Sequence, residues 1–218
     1  MDLSPLWTSL KVVALATALS GSTGIGVAYV LAMRRFPGRG LLQAFTALPL
    51  TLPPTVLGYY LLVALGRGTA LGQWVEATFR TPLVFTWQGA AVAAAVPSLP
   101  LVVAAARAAF EEVDVQLLEA AQMDGAGTWQ QFLWVLLPLA HRGILAGVTL
   151  GFARALGDFG TTLMVAGNIP GKTQTLPIAL YDAVQAGRWD LAMWLAVVLT
   201  GVAVSVLLAV GRLGTRLV

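Results

Sequence analysis

Few side chains in this sequence could do chemistry. There is no cysteine, one histidine (His141) and ten carboxylates among 218 residues. Disulfides, thiolate catalysis and Cys-ligated metals are excluded, and a lone histidine cannot build a histidine-rich metal site. Two groupings remain. Arg154 and Asp158 stand four residues apart, one helical turn, where opposite charges meet. At membrane depth such groups are costly and are usually paired or functional. A salt bridge holding a helix end is one reading, and gating or steering of an oxyanion is the other. The second grouping is Ala166-Gly167-Asn168-Ile169-Pro170-Gly171-Lys172-Thr173, which satisfies a relaxed phosphate-loop pattern. A phosphate cradle needs a preceding strand and a following helix whose N-terminus faces the phosphates. Pro170 and Pro177 suit neither element, and no carboxylate on a strand completes a nucleotide site. We read no nucleotide site here and expect no cofactor or metal on this chain. Nor do the hydrophobic runs hold a nucleophile–base pair for an intramembrane enzyme.

The elements that must position these residues follow from composition. The chain is 58% hydrophobic and 11% charged, against about 45–50% and about 25% for soluble domains. Its 13 basic and 10 acidic side chains cannot cover a globular surface. A soluble enzyme, a disordered tail and a nucleic-acid binder are excluded. The net charge of +3 reflects few acids and not a basic patch. One integral membrane domain, 1–218, is expected.

A helix needs about 20 apolar residues to cross about 30 Å of hydrocarbon. Runs 12–33, 41–65, 84–106 and 191–210 carry no charge, and 137–156 carries only His141, Arg142 and Arg154. Backbone polar groups in lipid must pair internally, so these are helices. Arg34, Arg35 and Arg39 follow the first run. The positive-inside rule makes that loop cytoplasmic and places the N-terminus outside. Alternation puts 66–83 outside, 107–136 inside, and Arg212 and Arg216 in the cytoplasm. Lys11, Arg67, Arg80, Lys172 and Arg188 fall outside, so the bias is modest. The first run lacks a basic start and is too long for a cleaved signal.

Segment 159–190 does not read as a span. Its apolar pieces, 161–166 and 176–186, are short, and Pro170 and Pro177 interrupt it. A re-entrant segment at the mouth of a pathway, an interfacial loop, or a hidden sixth span are the alternatives. The second run contains Pro49, Pro53 and Pro54 beside Thr51 and Thr55, and the third contains Pro97, Ser98 and Pro100. Proline removes a ladder hydrogen bond and kinks a helix. The freed carbonyls, with Thr51, Thr55, Ser98, Thr161 and Thr162, are candidate pathway or gate groups, although kinks also merely fit helices together. Gly143, Gly147 and Gly151 mark a close-packing face.

The cytoplasmic stretch 107–136 is too polar for lipid and too apolar for a free linker. Val115, Leu117, Leu118, Ala120, Ala121 and Met123 support a short helix, which Gly125-Ala126-Gly127 breaks. Thr128 as N-cap with Gln131 predicts a capping box and a second helix. The loop reads Glu119-Ala120-Ala121, three residues, Gly125, nine residues, Val135, then Leu137-Pro138. This matches the E-A-A-x3-G-x9-I-x-L-P pattern of ABC importer permeases except for Val135. More widely, the chain resembles the molybdate permease family. The matching stretches include Phe36-Pro37-Gly38, Leu48-Pro49-Leu50, Leu52-Pro53-Pro54 and Phe152 through Gly160. Asn168 through Gly171, Thr173, Thr175, Pro177 and Tyr181 match too. Family members usually carry Glu at the place of Asp158. Sulfate permeases share much of this block but are longer and pair two different subunits.

The resemblance implies an all-α, type I ABC importer fold with about five to six transmembrane helices in a bacterial inner membrane. It implies a homodimer, two ATP-binding subunits docked on the coupling loop (Glu119, Ala120, Ala121, Asp124, Gly125, Ala126, Gly127), and an external molybdate-binding protein. Sulfate or tungstate import, or a passive anion channel, are the alternatives. The arginine cluster gives the first prediction. A reporter fused after Arg39 should read cytoplasmic and one inserted near Gly72 external. The reverse at both sites would overturn the orientation.

Overall fold

The computed structural model describes residues 3–216, and every regular element among them is helical. α1 is Ser4–Met33, α2 Arg39–Thr51, α3 Pro54–Leu65, α4 Ala70–Phe79, α5 Trp87–Glu111 and α6 Val115–Met123. α7, Thr128–Gln131, continues through a π-helical turn, Phe132–Leu136, into α8, Leu137–Leu139. α9 is His141–Leu156, α10 Gly160–Ala166, α11 Leu176–Gln185 and α12 Trp189–Arg216. Three helices are long and apolar enough to cross a membrane: α1, α5 and α12 over Trp189–Ala209. Two bent pairs bring the count to five if each is one span. Segment 159–190 adds only α10 and α11, of 7 and 10 residues, too short for about 30 Å of hydrocarbon. The side chains of Arg212 and Arg216 lie outside the described residues.

The run 41–65, expected as one span, is instead broken, with α2 and α3 meeting at 116°. Proline drives the residue before it out of the α region. Pro53 therefore holds Leu52 extended (ψ 140°), and Pro54 does the same to Pro53 (ψ 137°). Two consecutive extended residues end α2. Pro54 then starts α3 at a position where a missing N–H costs nothing. Pro97 and Pro100 have no such effect, because α5 runs unbroken through both. They are isolated, and α5 is clamped by neighbours on several sides.

That clamping centres the fold. α5 carries an alanine-rich face, with Ala90, Ala91, Ala93, Ala94 and Ala106 fully buried, and packs against α1, α9 and α10. The glycine stripe of α9 meets it as expected. A Cβ on Gly143 would collide with Ala109, one on Gly147 with Ala105, and one on Gly151 with Val102. Gly24 of α1 faces Val102 from the other side. α10 is held similarly. A Cβ on Gly58 of α3 would reach Met164, and one on Gly160 would come within 3.0 Å of Pro54.

Gly147→Ala should lower the thermal unfolding midpoint. The added methyl would lie 2.9 Å from the Ala105 methyl and 3.2 Å from the Val102 carbonyl, and overpacking costs about 1–3 kcal/mol. Gly26→Ala meets nothing within 4 Å. It should leave the midpoint unchanged or raise it, since alanine is about 0.5–1 kcal/mol better than glycine inside a helix.

Candidate functional site

At the end of α5 the chain leaves the bundle. Asp114 caps α6, its Oδ1 accepting from the Gln116 N–H at 2.9 Å. No residue of α6 is buried, and Val115, Leu117 and Met123 are exposed. Only Leu118 turns back, packing beside the cluster around Phe110 and Leu136. Glu119, Ala120 and Asp124 are exposed as well.

The helix stops at a Schellman turn. The Ala126 N–H donates to the Ala121 carbonyl at 2.9 Å and the Gly125 N–H to the Gln122 carbonyl at 3.0 Å. Gly125 has φ +88°, the left-handed conformation that favours glycine there. So the E-A-A-x3-G spacing is itself geometric: the second alanine supplies the carbonyl that the turn closes on.

The second helix begins one residue earlier than its sequence predicts. Gly127 and not Thr128 is the N-cap, and Gln130 Oε1, not Gln131, accepts from the Gly127 N–H at 2.8 Å. Glycine has no side chain to return the bond, so only half of a capping box forms. Gln131 instead donates from Nε2 to the Ala126 carbonyl at 2.9 Å. Both glutamines fasten the glycine turn from behind.

An aromatic cluster ties this loop to the spans. Trp129 stacks on Phe132 at 5.5 Å. Phe132 meets Tyr29 of α1 edge-on at 4.9 Å and Phe110 of α5 at 6.3 Å. Sequence reasoning did not single out these four; only the helical spacing of Trp129 and Phe132 hinted at a shared face. The chain then makes its π-helical turn before Pro138, with the Leu137 N–H bonding the Phe132 carbonyl. It bends by 77° into α9.

The other candidates gather at the far end of α9. Arg154 and Asp158 form an ion pair at 3.1 Å, with the Asp158 side chain almost wholly buried. Asp158 Oδ1 also accepts from the Thr161 hydroxyl at 3.1 Å, and Oδ2 from the Thr162 N–H at 2.9 Å. Thr162 Oγ1 donates to the Phe159 carbonyl at 2.9 Å. The carboxylate therefore caps α10 and fixes its direction into the bundle, where Thr161, Thr162, Val165 and Ala166 are buried. Shorter reach than Glu suits this role, since Asp commonly bonds a backbone N–H at a helix start. Ser98 is fully buried, its hydroxyl donating to the Ala94 carbonyl of its own helix at 2.8 Å. Thr51 and Thr55 are exposed at the α2–α3 bend, and the backbone at Thr55 abuts the start of α10, 3.7 Å from a Cβ placed on Gly160.

Lys172 lies on the turn between α10 and α11, with no strand before it and α11 starting only at Leu176. This is not phosphate-loop geometry.

Residues 24–218 match the family described as the binding-protein-dependent transport system inner membrane component. The chain belongs to that family. It is 48% identical over 177 residues to the molybdenum transport system permease protein ModB of Escherichia coli K12, covering 81% of this chain and 77% of that one. It is 35% identical over 201 residues to the sulfate transport system permease protein CysT of the same organism, covering 92% and 72%. Among solved structures, the inward-facing MetNI methionine ABC transporter aligns with a TM-score of 0.76 and 19% identity, over 98% of this chain and 94% of that one. That likeness establishes the fold: an importer transmembrane domain, as the E-A-A pattern implied.

Asp158→Ala should destabilise the chain by about 2–4 kcal/mol, because it strips Arg154 of its counter-charge and α10 of its cap. Asp158→Asn keeps an acceptor for the Thr162 N–H and should lose roughly half as much. Thermal unfolding in detergent measures both, and equal losses would show that the cap contributes nothing.

Proposed function

We propose that the chain is the pathway-forming subunit of an ATP-driven molybdate importer. The observation that carries this is the E-A-A pattern folded as an exposed hairpin on the end of α5. The closer sequence similarity to a molybdenum permease than to a sulfate permease supports the substrate.

In this reading α6 docks on a separate ATP-binding subunit, one for each protomer of a homodimer. α2 has no buried residue and exposes Leu41, Phe45 and Leu50, while α3 exposes Tyr59, Tyr60 and Val63. Such a face suits a second protomer, with the pathway on the two-fold axis and Thr51 and Thr55 near it. Closure of the ATPases draws the two α6 helices together. Leu118 and the Trp129–Phe132–Tyr29–Phe110 cluster pass that displacement to α1 and α5. An external binding protein delivers the oxyanion at the other end, with the N-terminus outside and the C-terminus cytoplasmic. ATP chemistry belongs to the partner, and this chain binds no cofactor. A passive anion channel would have no use for the hairpin.

Gly125→Asp tests the coupling role. Its Cβ meets nothing within 4 Å, so the residue fits, and the left-handed φ costs only roughly 1–2 kcal/mol. The variant should reach the membrane folded, yet lose ATP-driven molybdate uptake. Normal uptake would remove the coupling assignment. Competition by sulfate equal to that by tungstate would overturn the substrate.

A further inference from the structure

At the end of the bundle opposite α6, where α1 and α5 begin, lies a cavity of about 340 Å³, within the range of small-molecule sites, about 300–1,000 Å³. Trp7, Lys11, Thr86, Trp87, Gln88 and Lys172 line it. Two cations face one space. The ion pairs among the described residues all use arginine, so no described carboxylate pairs with either lysine. Lys11 is also held in place: its ammonium lies 5.2 Å from the centre of the Trp7 ring and 6.0 Å from that of Trp87, within the reach of cation–π attraction. Such contacts aim the charge without neutralising it.

Depth adds the second constraint. α1 has 30 residues, about 45 Å against about 30 Å of hydrocarbon. Residues 12–33 carry no charge and are long enough to fill it, which leaves the first turns and Lys11 for the interface. Tryptophan belongs at that level. Lys172 approaches from the α10–α11 turn, on the same run that mimics a phosphate loop in sequence.

We propose that Lys11 and Lys172, framed by Trp7 and Trp87, form a binding site for a tetrahedral oxyanion at the outer membrane interface. The word "outer" rests on the orientation proposed above; the site itself does not. The oxyanion is either the phosphodiester of an anionic phospholipid or a free inorganic tetrahedral oxyanion. Interfacial depth and the tryptophan frame suit the lipid, whose phosphate lies at this level and whose chains continue along α1. The free ion needs only the two ammonium groups and the Gln88 amide, since the Thr86 hydroxyl already donates to the Leu83 carbonyl at 2.6 Å.

The full-length chain in nanodiscs decides the matter, with phosphatidylglycerol and inorganic phosphate as separate probes. Retained phosphatidylglycerol is counted by native mass spectrometry, and phosphate binding is followed by tryptophan fluorescence. Lys11→Gln and Lys172→Gln should each weaken binding about fivefold, and the double variant about twenty-five-fold, at the usual contribution of a surface lysine to anionic lipid. Lys11→Arg and Lys172→Arg should retain it. Trp87→Leu should weaken it with the net charge unchanged, whereas Arg80→Gln, which removes a charge outside the cavity, should not. Lipid retention with no phosphate response identifies the headgroup, and a saturable phosphate response in neutral phosphatidylcholine identifies the free ion. If the double lysine variant matches the wild type for both probes, or Arg80→Gln weakens binding as much, the site does not exist.

Discussion

The structure depends on how closely α5 can be approached. Helices in lipid gain little by hiding apolar side chains from one another, because the surrounding chains are as apolar as they are. What remains is dispersion, which falls steeply with a gap of even half an ångström. The chain removes side chains where the gap must close. Gly24 of α1 and Gly147 and Gly151 of α9 converge on Val102 and Ala105. With three helices locked on this axis, both ends of α5 become fixed points. Its C-terminal end launches α6, and its N-terminal end sets Thr86, Trp87 and Gln88 beside Lys11.

The same residue type acts in opposite ways along the chain. Pro97 and Pro100 sit within the clamped α5, and their lost ladder bonds do not outweigh the packing of α1, α9 and α10 against it. Pro53 and Pro54 are adjacent, and steric exclusion acts twice in succession. No amount of packing restores a helical Leu52 and Pro53 together. The sequence made proline's effect on a single residue legible, but not which helix would be held straight, because that depends on neighbours more than forty residues away. The run 41–65 looked continuous for this reason, since hydropathy counts residues and is blind to the angle between their halves.

Other features were readable in proportion to how local they are. The span positions, the glycine face of α9 and the turn at Gly125 rest on period, spacing and a single backbone conformation. The capping residue was misplaced by one because Thr128 and Gly127 both suit an N-cap, and only the Gln130 contact distinguishes them. The Tyr29–Phe110–Phe132 cluster joins three separated segments, and the cavity lined by Lys11 and Lys172 draws on segments equally far apart. Neither leaves a pattern in one window of sequence. Asp158 stands between these extremes. Its pairing with Arg154 follows from one helical turn, whereas its bonds to Thr161 and Thr162 require knowing that the helix ends and a new one starts there.

That double use of Asp158 bears on what an importer of a doubly charged oxyanion needs. Among the described residues it is the one ionisable group that is buried, and it neutralises the arginine beside it. The junction presents a dipole and hydroxyls to its surroundings, not a net positive charge. Every 1.4 kcal/mol of added affinity slows release about tenfold when association is unchanged. An uncompensated Arg154 inside the bundle would be such a trap. Placing unpaired cations at the interface, where water and salt screen them over roughly 8 Å, lets positive charge attract anions without holding them in transit. Under the proposed coupling, tight selection would belong to a protein outside the membrane, and this chain would need only a path that movement of α6 can open and empty.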